Sequence, residues 1–249
     1  MAERKAATTQ QEARAEVALR RALDEDQLRV VYQPKVWVAT GQVAGVEALL
    51  RWEHPERGTV LPDEFIPLAE RSRLIVPIGA WVLQEACRQA KIWTTSFPDH
   101  PPVPVSVDVS ARQFDTDFVG TVARALDRVR LAPELLCLEV TETMMMADVD
   151  AAVATLEDLK ALGVSVSIDD FGTGYSSLAY LRRLPLDELE IDKSFVDGLG
   201  TTTSTPPSSR RWSAWHRPGA CRRCRGSRDR KLTGLRPSPT SGAGSASTS

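Results

Sequence analysis

The chain has 249 residues and a formal charge of −2, from 31 Lys+Arg against 33 Asp+Glu. That balance is a cancellation: residues 1–200 hold 21 basic and 32 acidic side chains (21 − 32 = −11), while residues 201–249 hold 10 basic and one acidic, Asp229 (10 − 1 = +9). The acidic part argues against nucleic acid as a partner, because phosphate binding wants clustered Lys and Arg, and no apolar run reaches the roughly 18 residues of a membrane span.

Residues 1–15 read as a disordered leader that runs into a helical pattern between Gln10 and Asp26, with Val17, Leu19, Ala22 and Leu23 as its apolar stripe. LRVVYQPKVW is β-branched and aromatic and predicts a strand; Gly41 marks the turn into a second, QVAGVEALLRW. Pro62 with Asp63 and Glu64 opens a helix, and IGAWVLQEACRQAKIW predicts a longer one that stops at FPDHPPVP. VPVSVDVS, LLCLEVTE, VSVSIDDF and DELEID then predict strands. Between them ARQFDTDFVGTVARALDRV, ADVDAAVATLEDLKALG and YSSLAYLRRL predict helices. Such strict alternation means a parallel sheet, and this many units favour a barrel.

The rhythm stops at Gly200. Residues 201–249 contain no Val, Ile, Phe, Tyr or Met, and too little apolar surface to offset the entropy of ordering, so this basic tail is expected to be disordered. His216 with Cys221 and Cys224 gives weak support for zinc, since a second CxxC pair is missing. The polar start shows no secretory pattern and four cysteines make no disulfide framework at this length. A reduced, cytoplasmic setting is therefore expected, with Cys87 and Cys137 as core thiols.

Strand parity gives the first chemical clue. Val105, Val107 and Val109 alternate with Ser106, Asp108 and Ser110; Leu136, Leu138 and Val140 with Cys137, Glu139 and Thr141; Val164, Val166 and Ile168 with Ser165, Ser167 and Asp169. The apolar sets suit packing on outer helices and the polar sets a barrel interior. Each polar set carries an acid near its strand's C-terminal end, where barrel enzymes keep their chemistry, and Glu47 ends a comparable set. Converging carboxylates repel unless a cation sits among them, and oxygen-only ligands select a hard ion, Mg2+ or Mn2+. A pair of such ions suits phosphodiester cleavage. Taken singly, each acid could instead cap the helix that follows it.

VYQP, EALLRW, FIPLAE, SVDVSARQF, LEVTE, DDFGTGYSSL and LPLDELEIDKSFV, in this order between about Glu16 and Gly200, resemble the EAL domain family. The resemblance implies a (β/α)8 TIM-like barrel over residues 16–200 that cuts cyclic di-GMP to linear pGpG with two metal ions. It implies Glu47, Asp108, Glu139, Asp169 and Asp170 as metal ligands and Gln33 and Arg51 as contacts of the dinucleotide. Glu142 and the stretch Phe171, Gly172, Thr173, Gly174 are similar to a loop that couples the metal site to homodimerisation.

Three departures accompany the likeness. Asp108 stands where the family has Asn, and Glu190 stands where the family's K-I-D motif has a lysine beside the metals, reversing the charge. The E-G-V-E motif with the general base and the Q-G-Y motif do not occur in residues 201–249, so an incomplete barrel lacking its last two βα units, and impaired turnover, are expected. Residues 217–230, RPGACRRCRGSRDR, are compatible with a shifted reading of A-L-G-L-x-x-V-A-E-G-V-E-T-E, which suggests a frameshift before about residue 217. The alternatives are a cyclic di-GMP-binding or dimerisation module without turnover, and a frameshifted remnant without function.

Overall fold

The computed structural model describes residues 2–37, 40–114, 117–146, 148–171, 183–191 and 224–225. It opens with helix α1 (Ala2–Asp24), which buries Leu19 and Ala22 in the core. The leader expected to be disordered over residues 1–15 is thus helical from Ala2. The run is dominated by Ala, Glu, Arg and Gln, all good helix formers.

Strands β1 (Leu28–Val36) and β2 (Val43–His54) form an antiparallel hairpin. Its turn passes through Gly41 at φ 70°, a left-handed conformation that glycine adopts without strain. A three-residue strand without a counterpart in the sequence pattern, β3 (Gly58–Val60), adds to the other end of β2, where Thr59 Oγ1 donates to Glu53. Helices α2 (Pro62–Arg71) and α3 (Ile75–Ser96) follow, and the chain then alternates. β4 (Val105–Val109) leads to α4 (Ala111–Phe114) and α5 (Phe118–Val129). β5 (Leu136–Thr141) leads to α6 (Glu142–Met146) and α7 (Val149–Leu162). β6 (Ser165–Phe171), β7 (Glu188–Ile191) and β8 (Cys224–Arg225) complete the sheet.

The continuous helix read over residues 111–129 is two helices. Asp117 acts as N-cap of the second, its carboxylate accepting from Gly120 N at 3.2 Å, and a capping carboxylate favours a fresh helix start there. The short helix expected at 175–184 falls outside the described residues as far as 182, and so does the tail at 201–249 apart from Cys224 and Arg225.

The strand order is β1-β2-β4-β5-β6-β7-β8, antiparallel at β1/β2 and parallel from β2 onward. The sheet curls. Five ladders separate β1 from β7, a span of roughly 24 Å in a flat sheet at about 4.8 Å per ladder. Yet Lys35 on β1 reaches Glu190 on β7 with a 2.6 Å hydrogen bond. Among the described residues β8 pairs only with β7, and no ladder joins it to β1.

The alternation read from the sequence decides the core. Val105, Val107, Val109, Leu136, Leu138, Val140, Val164, Val166 and Ile168 are each 4 % exposed or less and share one cluster with α3 (Ile78, Leu83, Ala86), α5 (Val122) and α7 (Leu156, Leu159). Burying each such aliphatic side chain is worth about 1.5–3 kcal/mol, so the outer face carries the stability and leaves the inner face to polar groups. No helix among the described residues is long and apolar enough to cross a membrane.

Candidate functional site

Because like parity shares a face, register alone assembles the inner surface. Gln33 lies opposite Glu47, Glu47 opposite Ser106, Asp108 opposite Glu139, Glu139 opposite Ser167, Thr141 opposite Asp169, and Ser167 opposite Glu188. Glu190, two residues beyond Glu188, continues the same face, and Arg51 is on it through Glu47 and Leu49. Glu47, Asp108 and Glu139 each present a carboxylate oxygen, and these oxygens lie within 4.8 Å of one another. Asp108, Glu139 and Asp169 all sit toward the C-terminal ends of parallel strands.

Lys35 enters this group from β1. It follows Gln33 by two residues, so it shares the face, and its register partner is Gly45, which puts no side chain in its path. Its Nζ donates to Glu139 Oε1 and, at 2.6 Å, to Glu190 Oε1. The three side chains are 8 %, 1 % and 20 % exposed respectively, so the pairing is largely withdrawn from water.

The electrostatics follow from that crowding. Burial opposes the charge on Lys35, but Glu139 and Glu190 outweigh it and hold the ammonium more firmly protonated than an ordinary lysine. Glu139 has its pKa raised well above the usual carboxylate range, first by burial and then by Glu190 and Asp108, against the pull of Lys35. Burial also raises Glu47, with Glu190 and Asp169 adding to it and Lys35 and Arg51 opposing. Asp108 is reached by solvent yet crowded by the protein around it. That desolvation, with Glu47 and Asp169, pushes its pKa up to about 7.

A divalent cation fits this donor set. All the ligand atoms are carboxylate oxygens, and among the described residues Glu139 Oε2 is buried without a hydrogen-bond partner, an acceptor that a cation would satisfy.

The sequence-derived residues fare as follows. Glu47, Asp108 and Glu139 come together, with Asp169 close enough to shift the first two. Asp170 is described only as backbone of β6, and its side chain lies outside the described residues, as does that of Phe171. Arg51 is half-buried, with Nη1 donating to Leu50 O at 2.7 Å, and Gln33 is exposed on the shared face. Glu142 opens α6 and is buried, whereas Gly172, Thr173 and Gly174 lie outside the described residues. Glu190 is met by Lys35, a residue that motif reading overlooked and that shares its face with Gln33. Beside Arg51, Trp52 is buried, edge-on to Phe65 at 5.8 Å, with Nε1 donating to Gln27 Oε1.

Comparison with known proteins gives consistent matches. The EAL domain family model matches residues 16–208. The bifunctional diguanylate cyclase/cyclic di-GMP phosphodiesterase MucR of Pseudomonas aeruginosa is 53% identical over 182 residues, 73% of this chain and 26% of MucR. The cyclic di-GMP phosphodiesterase NbdA of the same organism is 47% identical over 187 residues, 75% of this chain and 24% of NbdA. The chain therefore spans about a quarter of the length of these curated relatives. Among solved structures, the MucR phosphodiesterase in complex with cyclic di-GMP superposes with a TM-score of 0.72 at 50% identity, covering 76% of both chains.

Proposed function

The chain belongs to the EAL domain family, and from that premise we propose that its inner face is a metal-dependent cyclic di-GMP phosphodiesterase site whose turnover is weakened by its own substitutions. The observation that carries the reading is the convergence of Glu47, from the middle of β2, with Asp108 and Glu139, near the C-terminal ends of β4 and β5, their ligand oxygens within 4.8 Å of one another.

Arg51 and Gln33 share the face with the carboxylates, so a dinucleotide entering the mouth meets a guanidinium able to pair with its phosphate and an amide able to bond its polar edges. Glu47, Asp108, Glu139 and Asp169, with Asp170, would hold Mg2+ or Mn2+. When bound, the metal supplies charge for the phosphate and lowers the pKa of water. Hydrolysis adds the oxygen of one water to phosphorus and returns its proton to the departing 3′ oxygen, giving linear pGpG. Glu190 works against that reaction, because it places a carboxylate where the phosphate's negative charge must approach. Homodimerisation through the segment after Asp170, coupled to the metal site through Glu142, belongs to the same reading and is tested by sedimentation with and without ligand.

A second reading, binding of cyclic di-GMP without turnover, is favoured by one observation: Glu139 and Glu190 are both engaged by Lys35. One experiment separates the two. The purified chain is mixed with cyclic di-GMP and Mn2+, and both bound dinucleotide and released pGpG are quantified. We expect binding with slow release, raised about tenfold or more by Glu190→Lys, the scale of one well-placed charge. Binding with no pGpG from either protein supports the second reading, and no binding by either refutes both.

A further inference from the structure

We infer that Lys35 is a built-in counter-cation of the carboxylate cluster, tethered by Glu190, and that it competes with divalent metal for Glu139. The inference rests on reading the cluster as a metal site.

The geometry is specific. Lys35 is 8 % exposed and its Nζ is shared between Glu139 Oε1 and Glu190 Oε1, so two acceptors from different strands fix it over the cluster. Glu139 is at once the lysine's partner and a member of the group whose oxygens gather within 4.8 Å. Its second oxygen, Oε2, is buried with no hydrogen-bond partner among the described residues. A cation taken up by Oε2 would sit next to the ammonium on Oε1, and like charges at that spacing in a withdrawn site disfavour each other strongly. Metal uptake must therefore displace the lysine or tolerate it.

A merely structural ion pair and a competing cation predict opposite effects. Removing a structural pair loosens the fold and leaves metal affinity unchanged or weaker. Removing a competitor strengthens metal binding. The test titrates the full chain with Mn2+ and follows free Mn2+ by electron paramagnetic resonance. Lys35→Met is expected to bind Mn2+ at least about tenfold more tightly than the unsubstituted chain, and Lys35→Arg, which keeps the charge, to stay close to it. Equal or weaker binding by Lys35→Met overturns the inference.

Should Lys35→Met fail to fold alone, Mn2+ added during refolding is expected to rescue it by replacing the lost charge, and absence of rescue overturns the inference as well. The tether is read by a double-mutant cycle. Glu190→Gln should weaken Mn2+ binding less in the presence of Lys35 than in Lys35→Met, because beside the lysine it also frees the competitor; additivity removes Glu190 from the inference. The underlying site is checked separately by Glu139→Gln. If the unsubstituted chain binds Mn2+ and Glu139→Gln abolishes it while Lys35→Met binds no tighter, the counter-cation falls and the site stands. If no protein in the set binds Mn2+, both fall.

Discussion

Asp108 shows how one acid changes the balance of a shared face. Its ordinary pKa of 3.8 is pushed up to about 7 by desolvation and by Glu47 and Asp169. Between those two values the folded chain holds a proton that the unfolded chain gives up. Its contribution to stability is therefore favourable at low pH and is lost as pH rises from 3.8 to about 7. In EDTA we expect the melting temperature to fall over that range, and Asp108→Asn to flatten the fall. Because solvent reaches Asp108, the loss at neutral pH should be discounted to about 1 kcal/mol, roughly 2–4 °C by calorimetry. A fall of the same size in Asp108→Asn would assign the titration elsewhere. Mn2+ reverses the trend, since binding to the ionised carboxylate takes over the role of the proton.

Single contacts fix how each strand presents its acids. The end of β4 is held by Gln113, buried, whose Oε1 accepts from Ser110 N at 3.0 Å just beyond Asp108. Gly79 in α3 makes room for it, since a Cβ there would come within 2.3 Å of Gln113 Nε2. Gly79→Ala is expected to force Gln113 aside and cost about 1–3 kcal/mol in urea unfolding, an overpacking penalty. A neutral result would mean that the amide end moves freely. On the other side of the site, Asp187 fastens the approach to β7: its Oδ2 accepts from Val166 N at 2.8 Å and from Lys160 Nζ at 2.7 Å. Asp187→Ala leaves the Val166 amide without this acceptor and should cost about 1–3 kcal/mol. Hydrogen exchange at Val166 and along β7, the strand that carries Glu190, should speed up; unchanged protection there would show β7 held by its ladder alone.

At the scale of the whole molecule, charge and closure are one problem. Residues 1–200 carry a net −11 (21 − 32), and part of that excess is turned inward, where it repels itself unless a cation intervenes. Mn2+ at a hundredfold excess over its dissociation constant should stabilise the chain by about 2.7 kcal/mol, read as a rising melting temperature; an unmoved transition would count against a metal site of any kind. Closure is the second issue. β8 continues the sheet from within residues 217–230, the stretch compatible with a shifted reading of V-A-E-G-V-E, and pairs Cys224 with Leu189 and Arg225 with Glu190. Sequencing the locus decides that reading. DNA whose alternate frame lacks V-A-E-G-V-E removes it, and DNA that encodes it calls for assay of the restored protein.

The inner and outer faces were written in the sequence, because side-chain alternation in a strand is local and needs no knowledge of neighbours. Val105, Val107 and Val109 had to oppose Asp108, and Leu138 had to oppose Glu139, wherever those strands were placed. The split at Asp117 was also local, since its carboxylate caps the helix that begins at Phe118. The meeting of Lys35 with Glu190 was of another kind. Those residues are 155 apart and sit on strands five ladders from each other. Curling of the sheet brings β1 and β7 within reach of one lysine side chain, and parity of either strand by itself contains no such information. The sequence alone determined which residues face inward; the tertiary structure decided which inward charges neutralise one another.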